Sequence, residues 1–222
     1  MLSTFSKRSD TKTISVTIDD GPNPETTPLL LNVLARYQAR ASFFVCGKKV
    51  AANPELAKLI VSSGHGLFSH GFSHRDFRTL TDEEIVGELD KTERLLSEFR
   101  PTPTPYLIRL PFGRGFDEPR VNDAVAIWRK DAAFIQWGLS PAEWQFVGNC
   151  QTPIDVSNHC ERAVQELSTA IWGGGIILLH DWPTVIENET PVVSCLRPYF
   201  CAVLLEKILI AAQNKNLNYA RL

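Results

Sequence analysis

The stretch Ser15–Pro24 reads SVTIDDGPNP. Val16 and Ile18 alternate with Ser15 and Thr17, the period of a strand with two different faces, and Gly21-Pro22 ends it. Two carboxylates, Asp19 and Asp20, stand side by side at its carboxyl end. Like charges this close oppose each other's ionisation unless something positive lies between or beside them, and a bound cation is the usual compensation. The reading of the fold turns on what else the chain delivers to the same place.

Outward from this strand, short β-branched or aromatic runs recur at 13–18 (TISVTI), 41–46 (ASFFVC), 65–69 (HGLFS), 106–109 (YLIR), 132–138 (AAFIQWG), 175–179 (GIILL) and 217–222 (LNYARL). Segments of helical period lie between them. The clearest is Thr81–Phe99: Thr81 and Glu84 form a capping box, and Ile85, Leu89, Leu96 and Phe99 make one apolar stripe. Pro28 falls in the first turn of the helix carrying LLLNVLARY, and a last helix is expected from Pro198 to Asn214. Such alternation predicts an α/β fold with a parallel sheet and helical crossovers, either an open doubly wound sheet or a closed barrel. Both bind ligands at the carboxyl ends of their strands. The 222 residues carry no internal repeat and suffice for one domain, 1–222.

Composition narrows the partners. A formal net charge of −2 gives no electrostatic case for nucleic acid or an anionic membrane. No apolar run is long enough to span a bilayer. The opening residues MLSTFSKRSD lack the apolar core of a signal peptide. That favours the cytoplasm, whereas a removed leader would mean export. The five cysteines are odd in number and contain no CxxC, which argues against cysteine-ligated zinc. They read as free thiols; in an exported protein Cys150–Cys160 and Cys195–Cys201 are the pairs to test.

The polar residues gather at strand ends. Asp19 and Asp20 follow the first run, and His70 and His74 follow the third in SHGFSHRDF. Arg109 ends the fourth in IRLPFG, Glu143 and Trp144 lie just past the fifth in WGLSPAEW, and His180 and Asp181 end the sixth in IILLHD. Taken singly each has an ordinary reading: a turn, a surface pair, a satisfied core histidine, a core tryptophan. Together and in order they describe a catalytic rim. His65 and His159 belong to no such pattern and read as structural. A catalytic divalent ion takes two neutral imidazoles and a carboxylate and keeps positions open, and Asp20, His70 and His74 supply that set. Such an ion brings the pKa of bound water to about 7 in the zinc case. Asp20 would then hold the metal while Asp19 takes the proton from water. Arg109 would keep Asp19 ionised and oriented, and an imidazolium at His180 would protonate the leaving atom.

The motifs TIDDGP, HGFSH, RLPFG, EW and ILLHD, in this order from Thr13 to Asp181, resemble the five motifs of the polysaccharide deacetylases, carbohydrate esterase family 4, also called NodB-like deacetylases. The resemblance implies a distorted (β/α) barrel, often of seven strands. It implies removal of acetyl groups from N-acetylglucosamine in chitin, chitooligosaccharide or peptidoglycan, or from acetylated xylan. It also implies Asp19 as general base, Asp20, His70 and His74 as metal ligands, Arg109 as the residue orienting the base, and His180 as general acid. On the same basis Leu178 lines the acetyl pocket, the Phe112 N–H meets the oxyanion, and Trp144 walls the sugar groove. The expected cofactor is a divalent metal, zinc first, with cobalt, nickel and manganese as alternatives.

Four positions depart from the family pattern. Ile18 stands where phenylalanine is usual, Gly71 where serine or threonine is usual, Phe112 where tyrosine is usual, and Glu143 where aspartate is usual. Gly71 removes a hydroxyl that would brace the metal loop and adds flexibility. Glu143 must reach His180 through one more methylene. The rival readings are an O-acetyl ester deacetylase of the acetylxylan type, a hydrolase of a small C–N compound, and a non-catalytic carbohydrate-binding relative. Segments 145–155 and 181–197 are expected to be rim loops that shape access, with Trp182 either stacking on sugar or anchoring its loop. The NET sequence at 188–190 is read as a chance glycosylation match.

Overall fold

The computed structural model describes residues 1–168, 173–181 and 191–222. Its strands are β1 (Ser3–Phe5), β2 (Thr13–Asp19), β3 (Ala41–Val45), β4 (Gly66–Ser69), β5 (Tyr106–Ile108), β6 (Ala132–Ile135), β7 (Ile176–His180) and β8 (Asn218–Tyr219). The helices are α1 (Thr27–Arg36), α2 (Gly47–Ala52), α3 (Pro54–Ser62), α4 (Asp82–Leu96), α5 (Pro119–Trp128), α6 (Pro153–Ser168) and α7 (Pro191–Asn214). The sheet runs β1-β6-β5-β4-β3-β2-β7, with β8 beside β2, and every ladder is parallel. Parallel neighbours need crossovers, and the helices provide them.

Each central strand has two faces. Ile14, Val16 and Ile18 of β2, Phe43 and Val45 of β3, and Ile177 and Leu179 of β7 pack outward under α1, α6 and α7. Tyr106 and Ile108 of β5 and Phe134 of β6 pack outward under α4 and α5. The alternate residues point inward, where Phe44, Phe68, Ile135 and Ile176 form the interior cluster with Leu107 and Trp137 against it. Both faces are covered, so β2 reads as fully buried although Ser15, Thr17 and Asp19 are polar. Those three share the inward parity, which brings Asp19 into the mouth of the barrel.

The distorted barrel is drawn together at the seam between β6 and β7. Past β6, Gly138 and Leu139 donate to the Ile176 carbonyl, Leu139 bridges Ile177, and the Leu178 N–H returns to Leu139. On this same edge of β6, away from β5, β1 pairs along the strand, and Lys7 then bridges Gly175. β1 was not expected: it has three exposed residues and no apolar alternation to announce it.

Local signals account for the helices. Thr81 accepts from the Glu84 N–H and Glu84 accepts from the Thr81 N–H, so α4 opens on the capping box read from sequence. Loss of such a cap costs about 1 kcal/mol. Pro28 sits in the first turn of α1 as expected. The last helix departs from expectation: α7 begins at Pro191, and Pro198 lies inside it. A proline signals a helix start by itself, but the apolar face that follows, Phe200, Leu204, Leu205, Ile208 and Leu209, is fixed by packing in the main core, which overrides the local signal. Of the loop expected at 181–197, residues 191–197 belong to α7. Trp182 and the NET sequence lie outside the described residues. All five cysteines are free.

Candidate active site

β2 ends the barrel's inner face on Asp19, whose register partners are Phe44 of β3 and His180 of β7. Strand alternation would send the next residue, Asp20, to the outer face. Asp20 instead has φ +71°, the left-handed region that aspartate tolerates better than most side chains. That turn brings both carboxylates to one cleft. Asp19 and Asp20 are 3% and 6% exposed, so their charges must be answered by protein groups or by a cation.

Arg109 answers Asp19. It follows β5, is fully buried, and donates from Nη1 to Asp19 Oδ1 at 2.7 Å and to the Thr17 hydroxyl at 2.8 Å. Nε donates to the Ile135 carbonyl and Nη2 to that of Gln136. The guanidinium lies over the rings of Phe44 and Trp137, 4.5 and 5.6 Å from their centroids. Burial draws the Arg109 pKa down and Asp19 works against that. Breaking such a buried pair from one side costs about 3–5 kcal/mol.

His70 and His74 face Asp20. Their Nε2 atoms lie 3.3 and 3.1 Å from Asp20 Oδ1. His70 Nδ1 meets the Arg109 carbonyl at 2.8 Å. A carbonyl only accepts, so Nδ1 carries the proton and a neutral His70 turns the lone pair of Nε2 toward Asp20. Asp20 Oδ1 is correspondingly a buried acceptor with no hydrogen bond. The three ligand atoms lie within 4.8 Å of one another. A carboxylate oxygen and two imidazole nitrogens converging on one point, all three acceptors when the rings are neutral with the proton on Nδ1, suit a divalent cation. Burial works against the Asp20 carboxylate, and positive charge facing it, on protonated His70 and His74 rings or on a cation between neutral ones, holds its pKa well below the usual range.

His180 faces this cluster from β7. Its Nδ1 meets Glu143 Oε1 at 2.8 Å, so the longer side chain at 143 does reach it. Glu143 sits in a helical turn, Glu143–Gln145, and is 1% exposed. Burial lowers the His180 pKa, but Glu143, with help from Asp20 and Asp19, outweighs it and takes it up to about 9. The neighbouring Asp181 is fully buried and pushed up to about 8 by that burial, which favours its neutral form at the rim.

The cleft these groups share has a volume of about 270 Å³. Leu178 lines its floor from the inner face of β7, and Trp144 stands edge-on to His180 with centroids 5.1 Å apart. Phe112 is half exposed, with φ +61°, and its ring meets His74 edge-on at 4.6 Å. No acceptor among the described residues takes the Phe112 N–H. Asp19, Asp20, His70, His74, Phe112, Trp144, Leu178 and His180 thus line one cleft, with Arg109 and Glu143 directly behind Asp19 and His180. His65 is elsewhere, its Nδ1 accepting from the Ala41 N–H, and His159 stacks on Phe146 outside the cleft.

Sequence reasoning missed three things here. Trp137 lines the cleft and covers Arg109; it continues the inward parity of Ala133 and Ile135, a signal that was readable. Arg114 and Gly113 line the cleft beside Phe112, with no sequence signal beyond adjacency to RLPFG. Glu88, on α4, holds the backbone between the two histidines through the N–H groups of Phe72 and Ser73, both at 2.8 Å. Nothing local marks that carboxylate, because its partners lie on another element.

Comparison with known proteins agrees with this geometry. The family model for polysaccharide deacetylases matches residues 6–127. A chitooligosaccharide deacetylase of Bradyrhizobium sp. (strain ANU 289) is 32% identical over 173 residues, 78% of this chain and 72% of the relative. A peptidoglycan-N-acetylglucosamine deacetylase of Bacillus cereus is 30% identical over 174 residues, 77% of this chain and 73% of the relative. The solved chitin deacetylase of the fungus Colletotrichum lindemuthianum superposes with a TM-score of 0.77 at 20% identity, covering 99% of this chain and 89% of that one, a likeness of fold. With a family match over more than half of its length and relatives of this identity and coverage, the chain belongs to the polysaccharide deacetylase family.

Proposed function

We propose that this protein is a metal-dependent hydrolase that removes the acetyl group from N-acetylglucosamine units of chitooligosaccharide or peptidoglycan, releasing acetate. The observation that carries the reading is the buried Asp20 oxygen facing two imidazole nitrogens, in a cleft also lined by Asp19 and its register partner His180. Asp20, His70 and His74 would hold the ion. When bound, an ion of this kind acts as a Lewis acid on the amide carbonyl and makes water a nucleophile at neutral pH.

The protein's own groups do the rest. Asp19, fixed by Arg109, accepts the proton of the attacking water, whose oxygen forms the new bond to the acetyl carbon. The Phe112 N–H donates to the negative charge that grows on the carbonyl oxygen. His180, protonated at neutral pH by its pairing with Glu143, gives its proton to the amide nitrogen as the C–N bond breaks. The products are acetate and the free amine. Leu178 offers an apolar surface to the acetyl methyl, and Trp144 and Phe112 offer faces to the sugar.

The test is acetate release from N-acetylglucosamine oligomers of increasing length, by protein stripped of metal and then reloaded with zinc. Release that returns only on reloading is the expected result. Stoichiometric zinc with no release from any oligomer would move the assignment to acetyl esters such as acetylxylan. Sugar binding without metal or release would move it to a non-catalytic relative.

A further inference from the structure

The two histidines that face Asp20 differ in how they are anchored. His70 continues from β4, its N–H bonds the Val45 carbonyl, and its ring is tied to the Arg109 carbonyl. His74 lies four residues on, at φ +59°, with its side chain 28% exposed. Its position depends on the segment between them, and that segment begins at Gly71, φ +74°. A Cβ at Gly71 would lie 3.2 Å from Phe77 and 3.4 Å from Glu88 Oε2, on a backbone that side chains rarely adopt. A serine or threonine brace therefore does not fit this loop as it is built.

The bracing comes from outside the loop. Glu88 Oε2 accepts from the N–H groups of Phe72 and Ser73, and Oε1 accepts from the Ser73 hydroxyl at 2.5 Å. From the other side, the first N–H groups of α2 donate to the loop carbonyls, Gly47 to Gly71 at 3.0 Å and Lys48 to Phe72 at 2.9 Å. Gly47 is needed there, because a Cβ would meet Phe72 at 2.6 Å and Thr92 at 2.8 Å. One carboxylate thus takes both free amides of the segment and its hydroxyl. Bonds to an ionised acceptor are about twice as strong as neutral ones.

We propose that Glu88 is a positioning residue for the metal centre: it fixes the 71–74 loop so that His74 Nε2 is presented to the ion, the task that a hydroxyl at position 71 cannot perform here. The inference rests on the reading of Asp20, His70 and His74 as metal ligands. It is tested by zinc affinity, measured by competition with a chromophoric chelator, alongside the circular dichroism and thermal midpoint of the metal-free protein.

Glu88→Ala is expected to fold and to lose zinc affinity by about 10–100-fold, the range seen when groups supporting metal ligands are removed. Glu88→Gln, which keeps one acceptor oxygen for the two amides, is expected to recover most of that loss. Asp90→Ala on the same helix, which breaks only an exposed pair with Arg94, is expected to change nothing. Ser73→Ala removes one of the three bonds and should lose less than Glu88→Ala. A folded Glu88→Ala protein with unchanged zinc affinity would overturn the proposal. If that variant does not fold, unchanged affinity in Ser73→Ala would overturn it equally. Wild-type protein without zinc affinity would overturn the ligand assignment and this inference together; wild-type affinity retained in every variant would overturn this inference alone.

Discussion

His70 and His180 are both imidazoles on the inner face of the same rim, one beyond β4 and one ending β7, and they are held in opposite ways. His70 donates a hydrogen bond from Nδ1–H to a backbone carbonyl, that of Arg109. His180 donates one from Nδ1–H to a carboxylate, that of Glu143. A neutral carbonyl orients a ring and leaves the far nitrogen as a lone pair for a cation. A carboxylate adds negative charge that favours the imidazolium, and His180 is accordingly taken up to about 9. Under the proposed function, one residue type would thus serve as ligand or as acid according to its partner.

The sharpest break of this comparison is between His70→Ala and His180→Ala. The first should abolish zinc binding and with it all turnover. The second should keep stoichiometric zinc and lower kcat by about 10²–10⁴-fold. Metal analysis beside acetate release separates them; loss of zinc in His180→Ala would end the distinction. Asp19→Asn should resemble His180→Ala, with zinc retained and turnover lost on the same scale, and wild-type turnover there would remove Asp19 from its role as base.

Glu143→Gln probes the carboxylate itself. The amide keeps a hydrogen bond but removes the negative charge that raises the His180 pKa, so that pKa falls below about 9. The imidazolium is present below its pKa and lost above it, so the alkaline limb of the kcat profile should move to lower pH. Each unit of the fall cuts the protonated fraction about tenfold above the new pKa. An alkaline limb that stays in place would mean that another group sets it. The smallest effect is expected from Trp144→Ala, which removes an edge-on ring from His180 and a wall of the cleft. Aromatic contacts of this kind contribute about 0.5–1.5 kcal/mol, so KM should rise by up to about tenfold with kcat little changed.

The contrast between the two histidines was only half visible beforehand. HxxxH after one strand and HD after another could be read directly, because strand ends are marked by where the apolar run stops. What each imidazole pairs with could not. The Arg109 carbonyl reaches His70 only because β5 lies next to β4 in the sheet, with Ser69 opposite Ile108. Glu143 was legible as an acid near Trp144, but whether its longer side chain met His180 depended on the turn that carries it. Glu88 was invisible, lying sixteen positions from Phe72 on a helix whose own sequence explains it as an ordinary polar face.

Strand–helix alternation, the two faces of the first strand, with Ser15 and Thr17 opposite Val16 and Ile18, and the order in which charged groups reach the strand ends are all legible in the sequence. Those follow from a period of two and from apolar runs, which are local. Only the tertiary structure decided that β1 joins β6, that α7 begins at Pro191, and that Asp20 turns back at φ +71° to share a cleft with Asp19. It alone also decided which acceptor each histidine meets. These depend on strand order, register and packing between elements distant in the chain, and no local propensity encodes a partner that arrives from another strand.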